Sequence, residues 1–158
     1  MTHCILVVLL AYNEADSIAS VLISIMAHLT NYQTNFRLYV VNDGSTDNTL
    51  SIVEELSDEM PLTLLNHVTN MGVAQAFDTG LREATKDSNG EDVIITMEAD
   101  GTSVPDLISV MSGKIRDGYD IVCASRYCEG GSLPNFPWQR RFFSVNANRL
   151  LRLLFPIN

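Results

Sequence analysis

Apolar runs alternate along this chain with segments whose apolar residues recur at helical spacing. The runs predict five strands: Ile5–Leu10, Phe36–Val41, Leu62–Leu65, Val93–Met97 and Tyr119–Ala124. Between them, a period near 3.6 predicts helices over residues 18–29, 47–56, 73–84 and 105–116. Strands that are apolar throughout are typical of parallel sheets covered on both faces. The pattern therefore predicts an α/β fold, a three-layer αβα sandwich with a mostly parallel sheet and a Rossmann-like half.

The segment 126–158 departs from this pattern. Residues 125–139 are rich in Gly and Pro and predict a loop, and Gln139–Phe155 predicts a helix with several arginines. Residues 1–125 carry 18 acids and 5 bases (−13), whereas residues 126–158 carry one acid and 5 bases (+4). The basic segment fits either ordinary solvated charge or contact with phosphates or an anionic membrane face. The acidic body argues against nucleic acid as a partner.

Length and composition indicate one folded domain. The chain has 158 residues, of which 46% are hydrophobic and 18% charged. Its longest apolar run, Cys4–Tyr12, is far short of the ~20 residues of a membrane helix and lacks a basic flank. We therefore expect a cytoplasmic protein that does not span a membrane and that can associate with one at its cytoplasmic face.

Cysteine and histidine spacing predicts neither a disulfide framework nor a metal site. The three cysteines form no CxxC pair, and we expect Cys4 and Cys123, which lie in apolar runs, to be buried free thiols. The three histidines have no ligand spacing and are expected on the surface or on helices: His3, His28 and His67.

The junction after the second strand is suited to a polar ligand. Asp43 ends the apolar run, Gly44 permits a sharp turn, and Ser45–Asp47 can start a helix. In open α/β sheets, ligands bind at this carboxyl edge. The alternative, that Asp43 and Asp47 merely cap the helix, has about even weight for this motif by itself.

Known phosphate-binding motifs limit the kinds of nucleotide site that the chain can form. Ala11–Glu14 contains no glycine, so the GxGxxG turn is missing, and no GxxxxGK[ST] occurs. By contrast, Glu98 and Asp100 place two carboxylates at the end of the fourth strand. Mg²⁺ or Mn²⁺ could bridge such carboxylates to a nucleotide diphosphate. For this motif by itself, capping of the helix at Pro105 is the commoner explanation.

Taken in order, the motifs resemble those of family 2 glycosyltransferases of the GT-A fold. They are Val7–Glu14, Val41–Asp47, Asn70–Gly72 with Ala76 and Gly80, and Glu98–Asp100. The later Ala124–Tyr127, Gly130–Gly131 and Pro137–Arg141 are similar to dolichol-phosphate mannose synthases and related polyprenyl-phosphate glycosyltransferases. The resemblance covers nearly the whole chain.

The resemblance implies an inverting, metal-assisted transfer of a sugar from a nucleotide-diphosphate sugar to a polyprenyl phosphate. It assigns the nucleotide pocket to Ala11, Tyr12, Asn13, Glu14, Asp43, Gly44, Glu98 and Ala99. Asp43 would bond the base, Asp100 and Glu98 would bind the metal, and Asp100 and Arg126 would serve catalysis. An acceptor phosphate is already anionic, so it needs cations such as Arg126 rather than a general base.

Several positions depart from the family pattern. Leu10 replaces Pro, Asn42 replaces an acid, Glu98 replaces Asp, and Thr102 stands where relatives often have Gln. The chain stops before an Asp-x-x-Ser-Gly-Phe-type segment, so we expect a domain incomplete at its C-terminus. The Leu and Phe side chains near that end would then be exposed, which predicts self-association, for example as a homodimer.

Two other functions compete with transfer. A dehalogenase-type phosphatase needs Asp rather than Glu98 as its nucleophile, which argues against it. A non-catalytic module that binds nucleotide sugars without transferring them stays open. The donor base, the sugar and the acceptor are not specified by the sequence.

Overall fold

The computed structural model describes residues 3–125, in which four strands and four helices alternate. The strands are β1 (Cys4–Ala11), β2 (Asn35–Asp43), β3 (Leu62–His67) and β4 (Val93–Glu98). The helices are α1 (Ile18–Asn31), α2 (Thr49–Ser57), α3 (Val73–Asp87) and α4 (Asp106–Arg116). The first four predicted strands and the four predicted helices are thus confirmed, with ends that differ by a few residues.

The four strands form one parallel sheet in the order β3-β2-β1-β4. β1 lies inside the sheet, and its Ile5 pairs with Phe36 of β2 on one side and Val93 of β4 on the other. Strands with neighbours on both sides and helices on both faces have no exposed surface, which explains the unbroken apolar run of β1. The predicted α/β class with a parallel sheet is confirmed.

Alternate side chains of β1 face two separate apolar layers. Val7 and Leu9 pack in a core with α1, α2 and α4. Leu6 and Val8 point to the other face, where they pack with Ala76 of α3. Because successive strand residues point to opposite faces, one strand supplies both layers. The three-layer arrangement follows directly.

Helix α3 approaches the sheet closely at Gly80. A Cβ atom there would lie 2.4 Å from Cγ1 of Val8 and 3.0 Å from Cγ2 of Val41. Glycine costs stability inside a helix, and here it permits a contact that any side chain would prevent. The helix is thereby held against β1 and β2.

The predicted fifth strand, Tyr119–Ala124, is wrong. Residues 119–125 form no strand, and the side chain of Ile121 is 79% exposed. Strand backbone needs a paired neighbour, and within residues 3–125 no strand pairs with this run, apolar though it is. Cys123 is accordingly exposed rather than buried, while Cys4 is half-buried at the start of β1.

Residues 1–122 form one compact unit, and the chain from Cys123 onward belongs to a second. Predictions for the basic segment 126–158, including its loop, its helix and Arg126, lie outside the described residues. Within residues 3–125, none of the helices combines the length and hydropathy needed to cross a bilayer.

Candidate functional site

The sequence-predicted site residues collect at the carboxyl edge of the sheet. Ala11 at the end of β1 pairs with Asn42 of β2, and Leu10 pairs with Glu98 of β4. From β1 the chain adds β2 and then β3 on one side of the sheet, and it then adds β4 on the other side of β1. The direction in which strands are added therefore reverses between β1 and β4. Open α/β sheets bind ligands in the crevice at such a reversal. The loop Tyr12–Glu14 and the end of β4 both lie at this edge of the sheet.

Asn13 joins the loop after β1 to the loop after β2. Its backbone is left-handed (φ 56°), a conformation that Asn tolerates better than most residues. Its side-chain oxygen accepts a bond from the N–H of Thr46 at 2.8 Å, and its own N–H donates to Oγ of Ser45 at 3.0 Å. Beside them, Tyr12 exposes 45% of its surface, which leaves an aromatic face available to a ligand.

Asp47 does more than start a helix. Its Oδ1 accepts the N–H of Thr49 at 3.0 Å, and its Oδ2 accepts the N–H of Ala15 at 3.1 Å. The hydroxyl of Thr49 and these N–H groups lower the pKa of Asp47 below its usual value. The oxygen of Thr49 also accepts the N–H of Glu14 at 2.8 Å. Asp47 therefore anchors the loop after β1 as well as the start of α2, which corrects the alternative of capping alone.

Asp43 ends β2 with its carboxylate 6% exposed. Its Oδ1 accepts bonds from Nδ1 of His67 at 2.7 Å and from the N–H of Met71 at 2.9 Å. Its Oδ2 accepts the N–H of Gly72 at 2.9 Å. Burial raises the pKa of Asp43, but these hydrogen bonds outweigh burial and leave the pKa below its usual value.

The carboxylate of Asp43 thus ties β2 to β3 and to the start of α3. An ionised carboxylate can accept about four hydrogen bonds. Three are made within the described protein, so the predicted contact between Asp43 and a base stays a prediction that depends on the remaining lone pair of Oδ2. Next to it, Asn42 is buried and pairs through its amide with Asn66 of β3 at 2.7 Å.

The acidic pair lies at the end of β4, at the same edge of the sheet. Glu98 and Asp100 are exposed, and Ala99 between them is buried, with its N–H bonded to the carbonyl of Leu10 at 3.1 Å. Asp100 Oδ1 accepts two bonds from Thr102, through its N–H and its hydroxyl, in a local turn. Among residues 3–125, Oδ2 of Asp100 and the carboxylate of Glu98 make no other bond, so both remain available to a ligand.

A divalent cation fits this donor set. No group of three or more His, Cys, Asp or Glu side chains that could hold a metal occurs within the described range. Mg²⁺, however, is commonly held by only one or two carboxylates, together with substrate phosphates and water. Glu98 and Asp100 supply that number of carboxylates, with the hard oxygen ligands that Mg²⁺ and Mn²⁺ prefer. The remaining ligands would come from a diphosphate.

The structure brings together, at one edge, all the predicted site residues within the described range. Arg126 lies outside that range. Two residues that the sequence did not single out also belong to the site: Ser17, which lies between Glu14 and Ala99, and His67, which contacts Asp43. Ser17 could have been suspected from its place before α1, whereas His67 gave no signal, and the expectation of a surface or helical histidine is wrong there.

Comparison with known proteins identifies the class. A family model described as "Glycosyl transferase family 2" matches residues 6–157, so the chain belongs to that family. It is 30% identical over 150 residues to a dolichol-phosphate mannosyltransferase of Pyrococcus furiosus, covering 95% of this chain and 41% of the relative. It is also 30% identical over 162 residues to a polyprenol monophosphomannose synthase of Mycolicibacterium smegmatis, covering 99% and 57%. The chain thus spans about half the length of these relatives.

Solved structures agree with the fold. A mannosyltransferase from Pyrobaculum calidifontis, solved with GDP-Man and Mn²⁺, is 28% identical with a TM-score of 0.50, over 63% of this chain and 28% of that one. TarS of S. aureus in complex with UDP-GlcNAc gives a TM-score of 0.53 at 23% identity, over 74% and 32%. The second likeness shows the fold alone.

Proposed function

We propose that this chain carries the donor site of a glycosyltransferase that moves a sugar from a nucleotide-diphosphate sugar to a polyprenyl phosphate, with inversion at the sugar carbon. The observation that carries the proposal is the carboxyl edge where β1 pairs with β4, which has an anchored loop after β1 and two available carboxylates at the end of β4. Relatives named for transfer to dolichol phosphate or polyprenol support the acceptor class.

In this proposal the described residues bind and orient the donor. The loop Tyr12–Glu14 contacts the nucleoside. Asp43 and Gly44, at the end of β2, contact its base. Glu98 and Asp100 would hold Mg²⁺ or Mn²⁺, which would neutralise the charge that develops on the departing diphosphate. The neighbour solved with GDP-Man and Mn²⁺ supports this assignment.

The acceptor requires little proton chemistry. A lipid monophosphate is anionic at neutral pH, so its oxygen can attack the sugar carbon while the bond from that carbon to the diphosphate oxygen breaks. Attack from the opposite face in a single step inverts that carbon. Arg126 is assigned to reducing the repulsion between the two anions, as guanidinium groups do for phosphates. Contact with the cytoplasmic face of a membrane would bring the lipid acceptor to the site.

Transfer of labelled sugar tests the proposal directly. The protein is incubated with polyprenyl phosphate, Mn²⁺ and either GDP-mannose or a UDP-sugar, and lipid-bound label is measured. We expect label in the lipid fraction with one donor class, and none when Asp100→Asn replaces the wild type. Label that stays in the nucleotide sugar with every donor would contradict transfer by this chain.

A non-catalytic module that binds nucleotide sugars is the second candidate. It is favoured by Glu98, which stands where the family pattern has Asp and carries its carboxylate one methylene farther from the backbone. Thermal shifts distinguish the two functions: a ligand that binds the native state raises the melting temperature by mass action, whether or not turnover follows. A shift with a nucleotide sugar but no labelled lipid would favour the module.

A further inference from the structure

His67 is fixed at both of its ring nitrogens. It ends β3 beside Asp43 in the pairing of β2 with β3, with Nδ1 2.7 Å from Oδ1 of Asp43. Its Nε2 lies 3.0 Å from Oγ1 of Thr79 on α3. An ionised carboxylate only accepts, so Nδ1 carries the proton, whereas the hydroxyl of Thr79 can either donate to or accept from Nε2. The imidazole therefore links β2, β3 and α3 in one chain of hydrogen bonds.

The loop after His67 depends on the same carboxylate. Its Met71 and Gly72 donate backbone N–H groups to Asp43. The loop also packs against Gly44, where a Cβ atom would lie only 2.3 Å from the carbonyl carbon of Thr69. Val68 is 95% exposed, so this part of the loop gains little from apolar burial. The position of the loop is set mainly by hydrogen bonds to Asp43 and by contact with Gly44.

We propose that His67 is a positioning residue for the nucleotide site: it orients Asp43, which holds residues 69–72 against Gly44 and so raises the affinity for a nucleoside diphosphate. This inference rests on the proposed function, in which Asp43 and Gly44 contact the nucleotide. His67 touches no reacting atom in this role. It orders the carboxylate and the loop before the ligand arrives, which reduces the ordering cost of binding.

Substitutions at His67 separate its two contacts. His67→Phe keeps a ring and removes both nitrogens, whereas His67→Asn keeps an N–H donor close to the position of Nδ1. His28 on α1 offers a matched control, because its Nδ1 lies 3.1 Å from Asp106 and its Nε2 2.5 Å from Oγ of Ser109. His28 therefore has the same kinds of partner as His67, one carboxylate and one hydroxyl, but it joins α1 to α4.

Calorimetry with GDP and with UDP, each with Mn²⁺, measures the effect on affinity. We expect His67→Phe to weaken binding of the preferred nucleotide about tenfold, as loss of one charge-assisted hydrogen bond implies. We expect His67→Asn to recover most of that loss and His28→Phe to stay within about twofold of wild type. Equal affinities in wild type and a folded His67→Phe variant would overturn the proposal.

Hydrogen exchange of the Met71 and Gly72 amides, measured without nucleotide, tests independently of binding whether His67 and Asp43 hold residues 69–72 in place. Both amides should exchange faster in His67→Phe and at the wild-type rate in His28→Phe. Thr79→Val removes only the hydroxyl on α3 and should quicken exchange less, which gives a second variant should His67→Phe not fold. Unchanged exchange in both His67→Phe and Thr79→Val would show that His67 does not hold the loop in place. Wild-type protein that binds neither GDP nor UDP would instead contradict the proposed function, and with it the effect of His67 on affinity.

Discussion

The hydroxyl of Ser17 donates to the carbonyl oxygen of Ala99 at 2.8 Å, across 82 positions of the sequence. The same hydroxyl lies 2.9 Å from Oε2 of Glu14. Since a hydroxyl has one proton, its donation is shared between the two oxygens. Ser17 therefore joins the loop after β1 to the end of β4, both of which belong to the candidate site.

Replacing Ser17 should affect both stability and binding. Ser17→Ala removes one partner of two half-buried acceptors, and we expect about 1 kcal/mol of lost unfolding free energy. Nucleotide affinity should also fall, because Glu14 loses the contact that orients it. Urea unfolding and calorimetric titration measure the two effects. Ser20→Ala, one turn along α1, removes an exposed hydroxyl bonded only to the carbonyl of Ser17 and should change neither.

Gly44 should tolerate no side chain. Its φ is 68°, and a Cβ atom would lie 2.4 Å from the backbone nitrogen of Asn70, so Gly44→Ala should cost at least about 2 kcal/mol of unfolding free energy. Gly90 is a matched control, with φ 84° and no atom within 4 Å of its added Cβ. Gly90→Ala carries the backbone strain alone. Equal melting temperatures for the two variants would show that the loop does not contact Gly44.

Hydrophobic periodicity was sufficient to predict β1 to β4 and α1 to α4, because the helices bury one face each, β1 and β2 bury both faces, and this burial is encoded locally. It failed for Tyr119–Ala124, an apolar run with which none of the strands in residues 3–125 pairs. It also missed the contact between His67 and Asp43. That contact depends on the register of β2 with β3, which brings together residues 24 positions apart.

Acid should remove the contribution of Asp43 to stability. The folded pKa of Asp43 is below its usual value, so its stabilising effect is complete above the unfolded pKa of about 3.9 and is lost as the pH falls through the lower folded value. Asp43→Asn keeps the shape and removes this titration. The difference in unfolding free energy between wild type and Asp43→Asn should therefore be largest near pH 7 and shrink below about pH 4. Chemical unfolding at both pH values measures this difference in unfolding free energy. A difference that stays constant with pH would mean that the hydrogen bonds to Asp43 do not require its ionised carboxylate.

In the proposed function, the carboxyl edge of β1 and β4 binds a nucleotide diphosphate through a metal on the acidic pair, Glu98 and Asp100. Asp100→Asn keeps the side-chain shape and its acceptor for Thr102, but it removes the charge that a cation requires. We expect it to weaken metal-assisted binding by at least ~2 kcal/mol, by analogy with the loss of a charge-assisted contact. Asp117→Asn, an exposed acid after α4, serves as the control.

Calorimetric titration of the wild type, Asp100→Asn and Asp117→Asn with GDP-mannose and with a UDP-sugar, each with and without Mn²⁺, is the most direct test. We expect the wild type and Asp117→Asn to bind one nucleotide sugar more tightly when Mn²⁺ is present. Asp100→Asn should lose most of this gain. Affinity that is the same with and without Mn²⁺, or the same in the wild type and Asp100→Asn, would contradict a metal-assisted nucleotide site at Asp100.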